Sequence, residues 1–547
     1  MYHQQSITFL IVALLVCQFW WRGERFIAAN GPTFDEAVHL VAGYGYWTNG
    51  EYRLNPEDPP VLKLLWALPL VLGDAPEFPQ EVAARTQFNH WHVSVAWLYQ
   101  SGTSPLELLN PARRVNLTLG SLLVLLAGWV AYRVWKSHLA AIAGCGFAAF
   151  DPTLLALSCV LTTDIGLTLF TFLTCYLIWE YVAAPSSGLL VATGVSLGLT
   201  LGSKFSAIAV VAGLGIAGIV VLCRGGRLTL PGQASSSQYH ALELTIRIGS
   251  IAVAVLAGTY AVVHFDQWGH GLRFQLTRGE HGDGVAYLLG EISPRGWIHY
   301  FLIALVVKLP LGLIVAVSVS TVSLLDRRLH ASIQPRELFL IIPQLVFFFL
   351  ASWSRVNVGV RAVLPLFPFL YLLASGLAAT GSWWVMWRSI LVVSLTWCGV
   401  TAWQASPYEI SYFNELVGSP TKGMHYLADS NLDWGQGLPA LKEWMKNAGV
   451  EIVYLAYFGT DRPETYGIRY QPLPGYGRVG PEGGETIPPD APRHVVAISA
   501  NHLLGLFLNN PDTYAWLRER EPLAIVGRCI FLFDVTRDPA ALHRLTR

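Results

Sequence analysis

Long apolar runs separated by short polar stretches recur along the chain. A membrane span needs about 20 mostly apolar residues. Runs of this kind occupy 6–21, 116–134, 138–150, 165–183, 188–203, 206–223, 247–264, 299–323, 337–353, 361–379 and 383–403. The pattern predicts a polytopic α-helical membrane protein with about eleven transmembrane helices. The first run ends in Phe19-Trp20-Trp21, which suits an uncleaved interfacial anchor better than a signal peptide cut near Ala28 and Ala29.

Three polar regions interrupt this pattern: 22–115, 265–298 and 404–547. The first contains Pro59-Pro60 and then Trp91, Trp97 and Tyr99, which predicts short helices lying at the membrane surface. The second is rich in Gly, His and Arg. The third has ordinary soluble composition and reads as a small α/β domain. Strands are expected at 424–429, 451–458, 494–499 and 524–534, and a helix at 436–447 ending on the cap signal Asn447-Ala448-Gly449. The Pro- and Gly-rich stretch 461–493 is expected to be irregular. The domains are therefore 1–403, membrane, and 404–547, soluble α/β.

Cationic loops orient the chain. Arg133 and Lys136, then Arg224, Arg227 and Arg247, then Arg327, Arg328 and Arg336 fall on one side. The positive-inside rule makes that side cytoplasmic. The N-terminus is then inside, and the C-terminal domain lies outside the cytoplasm.

Composition narrows the class further. The chain has 547 residues, is 53% hydrophobic and only 13% charged, whereas soluble domains carry about 25% charged residues. Lys plus Arg equal Asp plus Glu at 36 each, so nothing global points to nucleic acid. The seven cysteines form no CxxC pair, and six sit in apolar runs as small buried hydrophobes.

Candidate chemistry clusters outside the first span. In Gly31-Pro32-Thr33-Phe34-Asp35-Glu36-Ala37-Val38-His39, Thr33 and Glu36 form a capping box that opens a helix. Asp35 falls in the first turn, where the helix dipole favours a carboxylate able to take a proton from a hydroxyl. His39 shares its helical face. The alternative for Asp35 and Glu36 is helix capping alone. In Asn55-Pro56-Glu57-Asp58-Pro59-Pro60, the double proline stiffens the backbone. Glu57 and Asp58 there are candidates to orient a substrate or to hold a divalent metal through oxygens; the alternative is a solvated loop. Asp164 in Thr162-Thr163-Asp164 either caps the next span or faces the same outer cavity as Asp35. Lys204 in Gly202-Ser203-Lys204 marks a tight turn, because a lysine at a bilayer centre costs about 2.5–3.5 kcal/mol. There it either snorkels or binds an anionic headgroup. Arg355, Arg361 and Lys308 are further cations on the outer side. Asp429-Ser430-Asn431-Leu432-Asp433-Trp434-Gly435-Gln436 lacks the closing residues of a calcium loop and reads as a structural turn.

Taken in order, Asp35-Glu36-Ala37, Pro59-Pro60, Thr163-Asp164, Ser203-Lys204, Lys308-Leu309-Pro310 and Arg361-Ala362-Val363-Leu364-Pro365 resemble the membrane glycosyltransferases of the GT-C fold. They are similar in particular to the protein O-mannosyltransferase and aminoarabinose-transferase-like group, which depends on phospholipid carriers. The resemblance covers about residues 1–440. It implies transfer of a sugar from a polyprenyl-phosphate carrier to a hydroxyl on a protein, lipid or glycan at the outer face. It also implies a bacterial inner membrane. On that pattern Asp35 matches the catalytic aspartate, with Glu36 beside it and Asp164 as a second acid. His39, Glu57, Asp58, Lys204 and Arg361 become candidates for binding the substrate and its phosphate. Many relatives carry His before the double proline where Asp58 stands here, so that residue's role does not carry over. No cofactor is implied with certainty, and a divalent metal stays open. The competing class is a multi-span secondary transporter, which would set its charges along a two-sided path at the bilayer midplane.

Overall fold

The computed structural model of the protein describes residues 2–226, 228–232, 238–281, 285–328, 334–379, 384–475 and 484–545. Arg227 and part of the 461–493 stretch lie outside these residues. Among the described residues, 7 helices are long and apolar enough to cross a membrane, or up to 9 if each of two bent pairs is one span. The protein is an integral membrane protein. Two helices expected to span, Ser187–Leu201 and Ala207–Cys223, have only 15 and 17 residues. Lys204 sits in the turn between them, as the cost of burying a lysine in lipid requires.

The expected span 299–323 is broken. Helix Tyr300–Lys308 meets helix Leu311 onward at 112°. Pro310 has no N–H to continue the ladder, and the carbonyls freed by the break are taken by Asn414. Its Nδ2 donates to Val306 O at 2.6 Å and Leu309 O at 2.8 Å, and its backbone N–H donates to Val307 O at 2.9 Å. A helix can break at membrane depth only where protein re-satisfies its backbone. Lys308 donates to Ile410 O and Asn431 O at 2.9 and 2.8 Å. It joins the break to the chain's last third and does not line the cavity described below.

In that last third, strands β3 (Ile452–Ala456), β4 (Arg469–Pro472), β5 (Val495–Ser499), β6 (Ala524–Val526) and β7 (Ile530–Asp534) form one mixed sheet, after a small hairpin of β1 (Ala286–Leu288) and β2 (Glu291–Ser293) earlier in the chain. The order is β4-β3-β5-β7-β6, with β4, β3 and β5 parallel and β7 antiparallel to both its neighbours. Period-two alternation divides its side chains. Val453, Leu455, Val495, Ala497 and Leu532 pack with Leu438, Leu441 and Met445 of helix Leu438–Ala448. Tyr454, Ala456, Val496, Ile498, Phe531 and Phe533 belong to the apolar cluster that includes the spanning helices.

Three details differ from the sequence expectation. Residues 424–429 form 3-10 turns, with one isolated bridge from Leu427 to Leu288. The stretch 461–493 contributes the parallel strand β4. The expected strand 524–534 is the hairpin of β6 and β7, turning at Gly527 and Arg528, both with positive φ.

Candidate functional site

The loop between the first helix, which ends at Ala29, and helix Glu36–Asn49 is fixed from several sides. Asn30 Nδ2 donates to Phe26 O and to Pro407 O. Gly31 N–H and Phe34 N–H donate to Gln436 O and Trp434 O at 3.0 and 2.9 Å. A Cβ on Gly31 would approach Asp461 Oδ2 and Tyr466 Oη to 3.0 Å, so the close approach favours glycine.

Glu36 anchors this loop. Its Oε2 accepts from Thr33 N–H at 2.7 Å and Arg113 Nη2 at 2.6 Å. Its Oε1 accepts from Arg113 Nε at 2.9 Å and Leu161 N–H at 3.0 Å. Both side chains are fully buried. The expected capping box is half formed: Glu36 reaches back, but the Thr33 hydroxyl has no partner. Glu36 therefore does not line the cavity. Arg113, on helix Pro105–Trp135, went unnoticed in the sequence because it falls just ahead of an apolar run.

Asp35 faces the cavity, with its side chain 32% exposed and Arg361 Nη1 at 3.7 Å from Oδ2. Asp164 is only 1% exposed and stands between two cations. Lys204 Nζ is 2.5 Å from its Oδ1, and Arg361 Nη1 is 3.9 Å from its Oδ2. The Thr162 hydroxyl donates to the same carboxylate. Asp164 is the first residue of helix Asp164–Ala183, and the N-cap position before it is Thr163, whose side chain makes no capping bond. The turn before it is held by Asn116, whose Nδ2 donates to Leu157 O and Val160 O at 2.9 and 2.7 Å.

Arg361 is aimed by the chain's last third. Val360 N–H donates to Asn431 Oδ1 at 2.9 Å, and the Ser430 hydroxyl donates to Val358 O. The guanidinium lies over the Trp434 ring, 4.3 Å from its centroid. Gly359 has φ of 134°, and a Cβ there would meet Ser430 Oγ at 2.5 Å. The segment Asp429–Gln436, read from sequence as a structural turn, thus supplies both a scaffold and a wall.

These residues surround one cavity of about 1040 Å³. Its polar part is lined by Asp35, His39, Asn55, Glu57, Asp58, Thr163, Lys204, Arg278 and Arg361. Phe34, Trp91, Trp434, Phe458 and Phe507 add an aromatic wall. Phe34 and Phe458 stack at 5.2 Å, and Phe458 and Phe507 at 4.9 Å. Ile208, Phe347, Leu350 and Ala351 make an apolar end between helices Ala207–Cys223 and Leu338–Trp353. Asn55, Asp429 and Phe507 line it with positive φ of 50°, 56° and 57°, and such backbone strain concentrates at functional sites.

Burial pushes the Asp58 carboxyl up, but His39, Lys204, Lys63 and Arg278 together hold it below the usual carboxylate range. Asp58 also accepts from the Thr163 hydroxyl at 3.3 Å. Burial lowers His39 against the opposing pull of Asp58 and Asp35. Among the described residues no group of three or more His, Cys, Asp or Glu is arranged to hold a metal ion. Of the eight sequence candidates, six line the cavity; Glu36 is locked in its pair with Arg113, and Asp164 stands behind the wall, paired to Lys204 and Arg361.

No curated protein matches the chain. Among solved structures, ArnT from Cupriavidus metallidurans in the apo state is 14% identical, with a TM-score of 0.48 over 96% of this chain and 98% of that one. The same protein bound to undecaprenyl phosphate is 12% identical, with a TM-score of 0.48 over 97% and 98%. The S. cerevisiae protein O-mannosyltransferase Pmt1-Pmt2 complex bound to the sugar donor is 19% identical, with a TM-score of 0.33 over 48% of this chain and 34% of that one. The family model described as dolichyl-phosphate-mannose-protein mannosyltransferase matches residues 12–267, the part that holds Asp35, Asp58, Asp164 and Lys204. That match bears out the class expected from the ordered motifs, a membrane glycosyltransferase with a lipid-phosphate sugar donor.

Proposed function

We propose that the protein transfers a sugar from a polyprenyl-phosphate carrier to an acceptor hydroxyl in this cavity, with Asp35 as the general base. The observation that carries the reading is the cavity's composition: a half-exposed carboxylate, two cations and an apolar end in one continuous space. A polyprenyl tail enters from lipid along Phe347 and Leu350. Its phosphate reaches Lys204 and Arg361. As the bond from the anomeric carbon to the phosphate oxygen breaks, negative charge develops on the leaving phosphate, and fixed cations in a partly dry site stabilise it. The acceptor oxygen forms the new bond from the opposite face, inverting the anomeric centre, and gives its proton to Asp35.

Asp164 keeps Lys204 and Arg361 together before the donor arrives. Asp58 and Glu57 are placed to receive sugar hydroxyls. The cytoplasmic N-terminus, the extracytoplasmic last third (404–547) and a bacterial inner membrane belong to the same reading. The cavity then opens to the outer leaflet. The test is incubation of the purified protein with polyprenyl-phosphate-linked sugars while free polyprenyl phosphate is quantified. Release with one of these donors is expected. No release with any of them, from folded protein, contradicts the reading.

A further inference from the structure

Behind the cavity wall, a chain of hydrogen bonds ends on His39. Lys63, on helix Val61–Val71, is fully buried. Its Nζ lies 2.9 Å from Tyr46 Oη, 2.6 Å from Asn55 O and 2.9 Å from Asn55 Oδ1. Tyr46 donates its own proton to Leu54 O at 2.6 Å, so its oxygen accepts from Lys63. Burial lowers Lys63 to about 7, against Asp58 and Glu57, which raise it. Three acceptors around one nitrogen nonetheless call for three N–H bonds, which only the ammonium supplies.

An ammonium has no lone pair, so the Asn55 side-chain atom facing it is the carbonyl oxygen. Such a partner is what decides the orientation of an amide. The same oxygen lies 3.3 Å from His39 Nδ1. A carbonyl cannot donate, so the hydrogen between them belongs to Nδ1. Asn55 holds a left-handed φ of 50°, a conformation that asparagine tolerates better than most residues. The loop backbone therefore aims this amide. His39 itself lines the cavity one helical turn after Asp35. The charges acting on it are Asp58, Asp35 and Lys63.

We propose that Lys63 and Asn55 are positioning residues: through the Asn55 carbonyl they hold a proton on Nδ1 of His39 and leave Nε2 as the atom through which His39 exchanges a proton with the cavity. After Asp35 has taken the acceptor's proton, its O–H bond breaks again before the next turnover. The lone pair on Nε2 forms the new N–H bond, Asp58 balances the imidazolium, and the proton then leaves to water. This use rests on the glycosyl-transfer reading; the tautomer does not.

The experiment is nitrogen-15 NMR of the full chain labelled at histidine, with the His39 signals assigned by their loss in His39→Gln. At a pH where His39 is neutral, Nδ1 is expected to be protonated and Nε2 bare. In Lys63→Met the proton is expected to shift towards Nε2. A wild-type spectrum with the proton on Nε2, or an unchanged spectrum in folded Lys63→Met, overturns the proposal. The wild-type spectrum decides alone if that variant does not fold. A bare Nε2 in a protein that releases no polyprenyl phosphate from any donor supports the tautomer and overturns the function instead.

Discussion

Asp35 and Glu36 are neighbours in sequence and meet opposite surroundings. Glu36 and Arg113 form a closed knot with no exposure, and four donors saturate the carboxylate. Asp35 and Arg361 stand 3.7 Å apart at the edge of a large cavity, and the carboxylate is 32% exposed. A carboxylate whose every lone pair is used holds structure. One left half open, beside cations that are themselves shared, is available for a substrate. The structural pair sets the loop so that the next residue can act.

Substitutions break this contrast at either end. Asp35→Asn is expected to lower the transfer rate by about 100- to 10,000-fold, the usual contribution of a general base, with an unchanged melting temperature. Arg113→Met is expected to act through folding. Leaving Glu36 buried without its partner costs about 3–5 kcal/mol, read as a lower melting temperature or lost expression. Should Arg113→Met melt like wild type, the knot is not the anchor described here.

Lys204→Ala is expected to raise the donor KM by about 10- to 100-fold, since hydrogen bonds to charged groups are worth about 1.5–3 kcal/mol. Unchanged KM and kcat would make Lys204 a membrane anchor. Trp434→Leu acts on the cavity wall. Removing a ring from under Arg361 should cost about 0.5–2 kcal/mol of cation–π attraction, a change of several-fold in donor affinity at intact stability.

The smallest effect concerns pH. Burial holds the Asp461 carboxyl at about 7, with hydrogen bonds from Tyr466, Arg462 N–H and Tyr99 opposing it. Asp433 is pushed up to about 7 in the same way. The folded form then binds these protons more tightly than the unfolded chain does. The stabilisation is fully present below about pH 4 and is lost as pH rises through about 7. Asp461→Asn should flatten the dependence of melting temperature on pH across that window, and an unaltered slope would contradict the assignment.

The sequence made the helices legible because lipid imposes one rule on every span. It also exposed the ordered motifs, since Asp35, Asp164, Lys204 and Arg361 stand out as charges against apolar runs. The partners were hidden for physical reasons. Trp434 reads as one more apolar residue until the fold brings it under Arg361 from a segment 73 positions later. Lys63 carries no signal in the sequence, because its acceptors come from a loop and a tyrosine 17 residues earlier. Glu36 carried a capping signal and a family position at once, and only the meeting with Arg113 decides between them. The run 299–323 reads as one span, and the side chain that makes the break at Pro310 tolerable, Asn414, lies more than 100 residues away.

The most direct test is the initial rate of sugar transfer by wild type and Asp35→Asn side by side, at saturating polyprenyl-phosphate donor. Turnover by wild type and loss of at least about 100-fold in the variant are expected, with carrier binding and melting temperature unchanged. Equal rates in the two proteins would contradict Asp35 as the general base.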